Sequence, residues 1–100
     1  MVRHIVMWNY KEGLTAEENR RNAQKIKEEL EGLVPVIPGV ISLRVLTERL
    51  PSGGRDLLLD SLFESEEALQ SYQMHPEHIR VSGFIGSVTQ DRFCVDFRDE

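Results

Sequence analysis

The sequence predicts a single α+β domain in which helices cover an antiparallel sheet, and three observations lead to this prediction. Four segments alternate along the chain with the period of a β-strand. Two segments repeat apolar residues at helical spacing. The order of these segments is strand, helix, strand, strand, helix, strand, which matches the split βαβ, ferredoxin-like βαββαβ arrangement with a four-stranded antiparallel sheet.

Length and composition are those of an ordinary globular protein. The 100 residues suit one domain, residues 1–100, and 40% hydrophobic with 29% charged residues gives no sign of disorder. No apolar run is long enough for a bilayer, and the first residues lack the apolar core of a secretory signal. The net charge of −5 opposes binding to a phosphate backbone. We therefore expect a cytoplasmic protein with neither a nucleic-acid nor a membrane partner.

The first strand is predicted over Val2–Tyr10 and is apolar on both faces, which indicates that both faces are covered. One face holds Val2, His4, Val6, Trp8 and Tyr10. A capping box between Thr15 and Glu18 then predicts a helix that begins at about Ala16 and is ended by Pro35. The apolar stripe of this helix consists of Ala23, Ile26, Leu30, Leu33 and Val34.

Two more strands follow, and a glycine-rich and proline-containing turn at residues 51–54 joins them. They are predicted over Val40–Leu50 and Leu57–Phe63. One face of the former carries Ile41, Leu43 and Val45, and one face of the latter carries Leu57, Leu59, Ser61 and Phe63. Asp60 lies between two leucines on the opposite face, so it is expected at a sheet edge or, as we favour, paired within a second interface.

The last third of the chain predicts two helices and a final strand. Ser65 caps the second helix, which should stop near Met74 because Pro76 cannot continue it without losing a backbone hydrogen bond. Pro76 suits the first position of a third helix, and His75 is expected to cap that helix. The last strand is predicted over Asp91–Arg98, where Arg92, Cys94 and Asp96 alternate with Phe93, Val95 and Phe97.

The sheet face away from the helices is too apolar for solvent. A ferredoxin-like sheet has helices on one face only, so the residues of the other face need a separate cover. They include Ile5, Met7, Leu58, Leu62, Phe93, Val95 and Phe97. We therefore expect a homodimer in which two copies pack through their sheet faces.

Tyr72 and the neighbouring histidines form the candidate functional cluster. On an uninterrupted helix Tyr72 would lie beside His75 while His78 diverged, but a break at Pro76 can turn His78 towards Tyr72 and His4. An imidazole base and a phenol donor suit the removal of a proton beside a carbonyl group. The structural alternative makes Tyr72 a core aromatic residue and leaves His75 a capping role alone.

Other chemistries find less support in the sequence. Metal-ligating residue types are present, but the run from His75 to His78 lacks the spacing of a helical zinc motif, and no paired-cysteine motif occurs. Cys94 is the single cysteine, so no intrachain disulfide can form, and a cysteine within a strand is usually packed and inert. No glycine-rich phosphate loop is present. We expect neither a metal nor a cofactor.

Several of these segments also resemble the stress-responsive A/B barrel (Dabb) family of dimeric α+β barrel proteins. The resemblance covers nearly the whole chain and implies a homodimer whose two sheets form a barrel. The segments that carry it are Val2-Arg3-His4-Ile5-Val6, Ile37-Pro38-Gly39-Val40, Phe63-Glu64-Ser65, Tyr72-Gln73-Met74-His75-Pro76-Glu77-His78 and Val95-Asp96-Phe97.

The resemblance further implies roles for individual residues. A cofactor-free polyketide cyclase of the family uses the histidine that matches His78 as its base, with help from the tyrosine that matches Tyr72. The histidine that matches His4 lines its pocket, and Asp96 takes a matching acidic position. This chain departs from the cyclase at Leu57, where that enzyme has another pocket histidine, and at Trp8, which replaces a smaller aliphatic residue. These departures leave the substrate open.

Together these arguments predict a pocket whose catalytic candidates are His78, Tyr72 and His4. The residues expected to bind the ligand are Val6, Trp8, Leu59, Ser61, Arg92, Cys94 and Asp96. Three functions stay open: a lyase or cyclase that uses His78 as base on a small carbonyl or polyketide-like compound, a non-catalytic stress-associated protein that binds small molecules, and, by fold analogy, a cofactor-independent monooxygenase.

Overall fold

A computed structural model describes all 100 residues as one antiparallel sheet packed against three helices. The elements are β1 (Val2–Tyr10), α1 (Ala16–Glu31), β2 (Val40–Leu46), β3 (Leu57–Phe63), α2 (Glu66–Met74), α3 (Pro76–Val88) and β4 (Thr89–Arg98). The strand order is β2-β3-β1-β4, so β1 lies inside the sheet. The ferredoxin-like α+β fold that the sequence predicts is confirmed. None of the helices is long and apolar enough to cross a membrane.

β1 sets the register of the strands that flank it. Its residues alternate between buried and half-buried side chains, and the buried ones face the helices. His4 lies opposite Ser61 of β3 and opposite Asp96 of β4. Directly opposed residues of antiparallel strands project to the same face of the sheet. The three side chains therefore meet on the helix side.

A β-bulge makes the predicted alternation of β2 wrong at its first residues. The pairing with β3 shifts between Val40 and Ser42, so Val40 is buried whereas Ile41 is 38% exposed. One extra residue reverses the facing of the side chains before it. β2 also ends at Leu46 rather than at residue 50, because β3 extends only one residue beyond the Leu46–Leu58 pair and offers no further partner.

The predicted capping box at the start of α1 is present. The Glu18 N–H donates to Thr15 Oγ1 at 3.1 Å, and the Thr15 N–H donates to Glu18 Oε1 at 3.0 Å. The helix ends at Glu31, four residues before Pro35, and Gly32 forms its C-cap. The predicted end was too late because the glycine, a poor helix former, stops the helix before the proline can.

The last turn of α1 bonds to the outer side of the edge strand β2. The Val45 N–H donates to Glu31 Oε2 at 2.9 Å, while Lys27 Nζ donates to the Val45 carbonyl at 2.9 Å and to Glu31 Oε2 at 2.8 Å. Both backbone groups of Val45 are thus satisfied by side chains of the helix.

His75 forms the junction between α2 and α3. Its backbone is extended, with φ −66° and ψ 134°, and it is both the C-cap of α2 and the N-cap of α3. The His75 N–H donates to the Tyr72 carbonyl at 3.1 Å, and the Glu77 N–H donates to His75 Nδ1 at 3.1 Å. Pro76 is the first residue of α3. The predicted helix break and the capping role of His75 are confirmed.

The outer face of the sheet exposes large apolar side chains. Phe97 is 64% exposed and Phe93 is 51% exposed. At one end of this face Arg3 forms ion pairs with Asp60 at 2.7 Å and with Asp99 at 2.6 Å. Since β3 is an interior strand, Asp60 does not lie at a sheet edge, which was one of the two expectations for it. Its ion-pair partner, Arg3, belongs to the same chain. Monomeric proteins rarely expose a contiguous apolar patch of this kind, which favours an interface.

If the outer face of the sheet forms a dimer contact, we expect the substitution Phe93→Glu to convert the dimer into monomers, because it would place a charge on an apolar face that the contact desolvates. Val36→Glu is the matched control, since Val36 is 49% exposed but lies in the segment between α1 and β2. Sedimentation equilibrium would measure both variants. A Phe93→Glu protein that stays dimeric at micromolar concentration would show that the interface lies elsewhere.

Candidate functional site

A cavity of about 320 Å³ lies on the helix side of the sheet, between the strands and α3. This volume is at the lower end of the range of small-molecule sites. Both apolar and polar side chains line it, and they come from every element except β2. The lining residues are His4, Val6, Trp8, Leu30, Leu59, Tyr72, His78, Ser82, Ile85, Gly86, Thr89, Gln90, Asp91 and Arg92.

Tyr72 is the most enclosed polar side chain of the cavity wall. It is 1% exposed, and its ring packs between Phe63, at a centroid distance of 4.9 Å, and His78, at 4.2 Å. Its hydroxyl is buried and has no hydrogen-bond partner. Burial raises the pKa of the phenol well above its usual value, so the group stays protonated and can only be a neutral donor or acceptor.

His78 lies in the first turns of α3, where the helix break brings it back onto the Tyr72 ring. Its Nδ1 lies 3.2 Å from the Gln73 carbonyl oxygen. Since a carbonyl only accepts, this contact assigns the proton of the neutral ring to Nδ1 and leaves the lone pair on Nε2. Desolvation by burial lowers the pKa of His78, and the positive charge of Arg92 lowers it further. The imidazole is therefore a neutral base at pH 7.

His4 is held by the strands on both sides of β1. It is 3% exposed, its Nδ1 lies 2.5 Å from Asp96 Oδ1, and the Ser61 hydroxyl donates to its backbone carbonyl at 2.5 Å. The structure places Asp96 beside His4, as the sequence predicts. A carboxylate on Nδ1 fixes the tautomer and leaves Nε2 of the neutral ring as the acceptor.

Three side chains near His4 are of types that bind metals. The ligand atoms of His4, Cys94 and Asp96 lie within 4.8 Å of one another, and such donors suit zinc. Nδ1 and Oδ1 are, however, already joined by a hydrogen bond. Burial and the neighbouring Asp96 charge raise the pKa of Cys94, which disfavours the thiolate that a metal needs. The cluster fits a hydrogen-bonded pair better than a metal centre, and the expected absence of a metal or cofactor remains a prediction.

The structure brings most of the predicted site residues to one cavity. The lining includes His4, Val6, Trp8, Leu59, Tyr72, His78 and Arg92. Three predicted ligand-binding residues lie outside the cavity wall. Ser61 is fully buried, with its hydroxyl bonded to His4, Cys94 lies behind the His4 ring at 3.6 Å from Nδ1, and Asp96 borders a separate groove beside α2. These three residues position His4 rather than contact the cavity.

Residues of α3 and the start of β4 form a wall that the sequence analysis missed. Ser82, Ile85 and Gly86 lie four, seven and eight positions after His78, which is the spacing of one helix face. That spacing from His78 was a usable signal. Asp91 also lines the cavity, with a left-handed φ of 56° at a β-bulge opposite Trp8, and no simple alternation would have located it.

The fold and this cavity define a small ferredoxin-like α+β protein with a ligand-sized site between its sheet and its helices. The chain belongs to the stress responsive A/B barrel domain family, Dabb, which it matches over residues 2–99. The resemblance seen in the sequence is therefore confirmed. The chain is also similar to olivetolic acid cyclase of Cannabis sativa, with 26% identity over 96 residues, or 96% of this chain and 94% of that protein.

Solved structures with the same fold include dimers. A dimeric protein of ferredoxin-like fold from Bacteroides fragilis superposes with a TM-score of 0.90 and 26% identity, covering 98% of this chain and 95% of that chain. The hydroxynitrile lyase of Passiflora edulis superposes with a TM-score of 0.79 and 18% identity, covering 96% of this chain and 90% of that chain. The first similarity supports a homodimer, and the second shows the shared fold.

We expect Gly86→Leu to fill the cavity without destabilising the fold, because a Cβ at residue 86 meets no atom within 4 Å. Gly83→Leu is the matched control, since residue 83 is equally unobstructed but does not line the cavity. Replacing either glycine within α3 should raise helix stability by about 0.5–1 kcal/mol. Fragment binding followed by NMR should be lost in Gly86→Leu alone. Equal binding to both variants would place the ligand elsewhere.

We expect NMR titration of the His78 ring to give a pKa below 6.5, because burial disfavours the charged imidazole. Above pH 6.5 the ring is neutral in both the folded and the unfolded chain, so it adds no pH dependence. Between 6.5 and the lower folded pKa the unfolded chain binds more protons, so the free energy of unfolding falls as the pH decreases. A folded pKa at or above 6.5 would contradict the desolvation expected for this half-buried ring.

Proposed function

We propose that this Dabb protein binds a small carbonyl compound in the cavity, and that His78 removes a proton from the carbon beside the carbonyl group. The observation that carries the proposal is the Tyr72 hydroxyl, which is buried at the cavity wall and has no partner. Leaving a buried hydroxyl unpaired costs about 1–3 kcal/mol. A ligand oxygen that accepts a hydrogen bond from Tyr72 would remove that cost.

His78 is suited to act as the base in this scheme. Its neutral Nε2 accepts the proton as the C–H bond breaks, and the electron pair of that bond passes to the carbonyl oxygen as an enolate. The Tyr72 hydroxyl donates to this oxygen while the negative charge develops. The Nδ1–H bond to the Gln73 carbonyl supports the imidazolium that forms, because its positive charge strengthens that hydrogen bond.

His4 supplies the second polar group of the cavity. With Nδ1 bonded to Asp96, its Nε2 can receive a hydrogen bond from a ligand hydroxyl or orient a water molecule. In a cyclase the enolate carbon then attacks a second carbonyl of the same molecule, and the His78 imidazolium returns its proton to the resulting alkoxide. In a lyase the same steps run in reverse: His78 takes the proton of a hydroxyl group, the carbon–carbon bond breaks as the alkoxide becomes a carbonyl, and the His78 imidazolium protonates the carbanion that leaves. The names of two relatives, a cyclase and a lyase, support this class of reaction.

The substrate is proposed to be smaller than, or shaped differently from, that of a polyketide cyclase. Trp8 lines the cavity with a large indole, and the volume of about 320 Å³ is modest. Leu57 is 1% exposed and does not contact the cavity, so this position adds no polar group to the site. Small carbonyl compounds with one acidic C–H bond fit these limits best.

The proposed assembly is a homodimer that packs through the outer face of the sheet. The dimeric relatives support a homodimer, and the exposed Phe93 and Phe97 support this face as the contact. The cavity lies on the opposite, helix side of the sheet, so both copies would keep a complete set of the residues described here.

A second candidate is a ligand-binding protein without turnover. The cavity wall favours it in one respect, because the Trp8 side chain and the packed rings of Tyr72 and His78 can bind an apolar ligand without any proton transfer. The monooxygenase alternative rests on the shared fold alone and gains no support from an individual residue of the cavity.

Screening of carbonyl, polyketide-like and quinol compounds by thermal shift, repeated with His78→Ala, tests the ligand-binding proposal. Compounds that stabilise the wild-type protein would next be assayed for turnover. Stabilisation that is unchanged in His78→Ala would remove His78 from the site, and binding without turnover would favour the second candidate.

We expect Tyr72→Phe to separate stability from activity. Removing an unpaired hydroxyl should leave the free energy of unfolding unchanged or raise it by about 1 kcal/mol. Turnover should fall by about 10²-fold if the hydroxyl stabilises the enolate. Tyr10→Phe is the control, because Tyr10 is the other tyrosine of the chain and does not line the cavity. Chemical denaturation and the turnover assay measure the two effects, and full activity in Tyr72→Phe would contradict the mechanism.

A further inference from the structure

We propose that the ligand carries a carboxylate, and that Arg92 binds this group at the solvent side of the cavity. The inference rests on the proposed function, because it narrows the carbonyl compounds to oxo acids. It assigns to Arg92 the recognition of charge, while the polar groups deeper in the cavity act on the carbonyl end of the same molecule.

The backbone of β4 directs Arg92 to the cavity. The pairing of β1 with β4 shifts between Met7 and Asn9, so Asp91 and Arg92 both lie opposite Trp8. Asp91 takes the left-handed φ of 56° that this β-bulge requires. Bulges of this kind redirect a side chain, and they are common beside functional sites. Arg92 lines the cavity and is exposed to solvent at the same time.

Arg92 has no carboxylate partner within the chain. Five of the eight other arginines form ion pairs, for example Arg3 with Asp60, Arg80 with Glu29 and Arg98 with Glu66. Among the arginines without an ion pair, Arg92 is the one that lines the cavity. The nearest acidic neighbour in sequence, Asp91, instead accepts a hydrogen bond from Asn9 Nδ2 at 3.1 Å. The Arg92 guanidinium lies near the Cys94 thiol, whose raised pKa keeps it uncharged, so in a chain with 17 acidic and 12 basic residues Arg92 lines the cavity without an anionic partner and can bind an external anion.

Charge and shape both suit a carboxylate. A guanidinium binds a carboxylate through two parallel hydrogen bonds, which fixes the orientation of the ligand as well as its position. Arg92 and His78 line the same small cavity, of about 320 Å³, so one small ligand can contact both. An oxo acid can therefore reach Arg92 with its carboxylate and His78 with the carbon beside its carbonyl.

Matched pairs of an acid and its methyl ester test the inference. We would measure the dissociation constants of phenylpyruvate and levulinate, and of their methyl esters, by isothermal titration calorimetry. The wild-type protein should bind at least one acid about tenfold more tightly than its ester, and high salt should weaken that preference. Arg92→Gln should lose this preference, because it should bind the acid more weakly and the ester with an unchanged dissociation constant. Arg92→Lys should keep part of the preference.

Arg20→Gln is the control, because Arg20 is exposed on α1, has no ion pair and does not line the cavity. It should leave both dissociation constants unchanged. Equal binding of acid and ester to the wild-type protein, or a preference that survives Arg92→Gln, would overturn the carboxylate inference while the carbonyl proposal stands. Binding of neither the acids nor the esters would overturn both.

Discussion

The double pairing of β1 is the constraint on which the rest of the structure depends. Its hydrogen bonds to β3 and β4 set His4 against Ser61 on one side and Asp96 on the other, so the imidazole is fixed at its backbone and at its ring. A slip of one residue in either pairing would turn His4 to the outer face of the sheet. The geometry of the cavity is therefore set by β1, which pairs with a strand on each side.

The helix break at Pro76 supplies the other half of the site. Tyr72 ends one helix and His78 begins the next, and only the bend between them allows their rings to pack at 4.2 Å. His75 satisfies backbone groups of both helices, so the angle between them is set by hydrogen bonds rather than by packing alone. Separate interactions therefore fix His4 on the sheet and the junction between α2 and α3. Both contribute side chains to one cavity.

The fold was readable from the sequence because its signals are local. The alternation of β1, the capping box at Thr15 and the helix break at Pro76 each depend on a few neighbouring residues, and the structure agrees with each of them. The bulges at Ile41 and Asp91 could not be predicted, since the position of an extra residue in a strand depends on its pairing with the partner strand. The approach of Tyr72 and His78 followed from the helix break, whereas the wall around Gly86 depends on how α3 packs, which the sequence analysis did not derive.

The bonds from Lys27 and Glu31 to Val45 also bear on how the protein avoids self-association. An edge strand offers free backbone groups to which a strand of another molecule can add, and such addition is the first step of fibrous aggregation. In β2 the outward N–H and C=O of Val45 are already taken by side chains of α1. The helix thus blocks the outer backbone groups near the end of β2, where a strand of another molecule could otherwise add to the sheet.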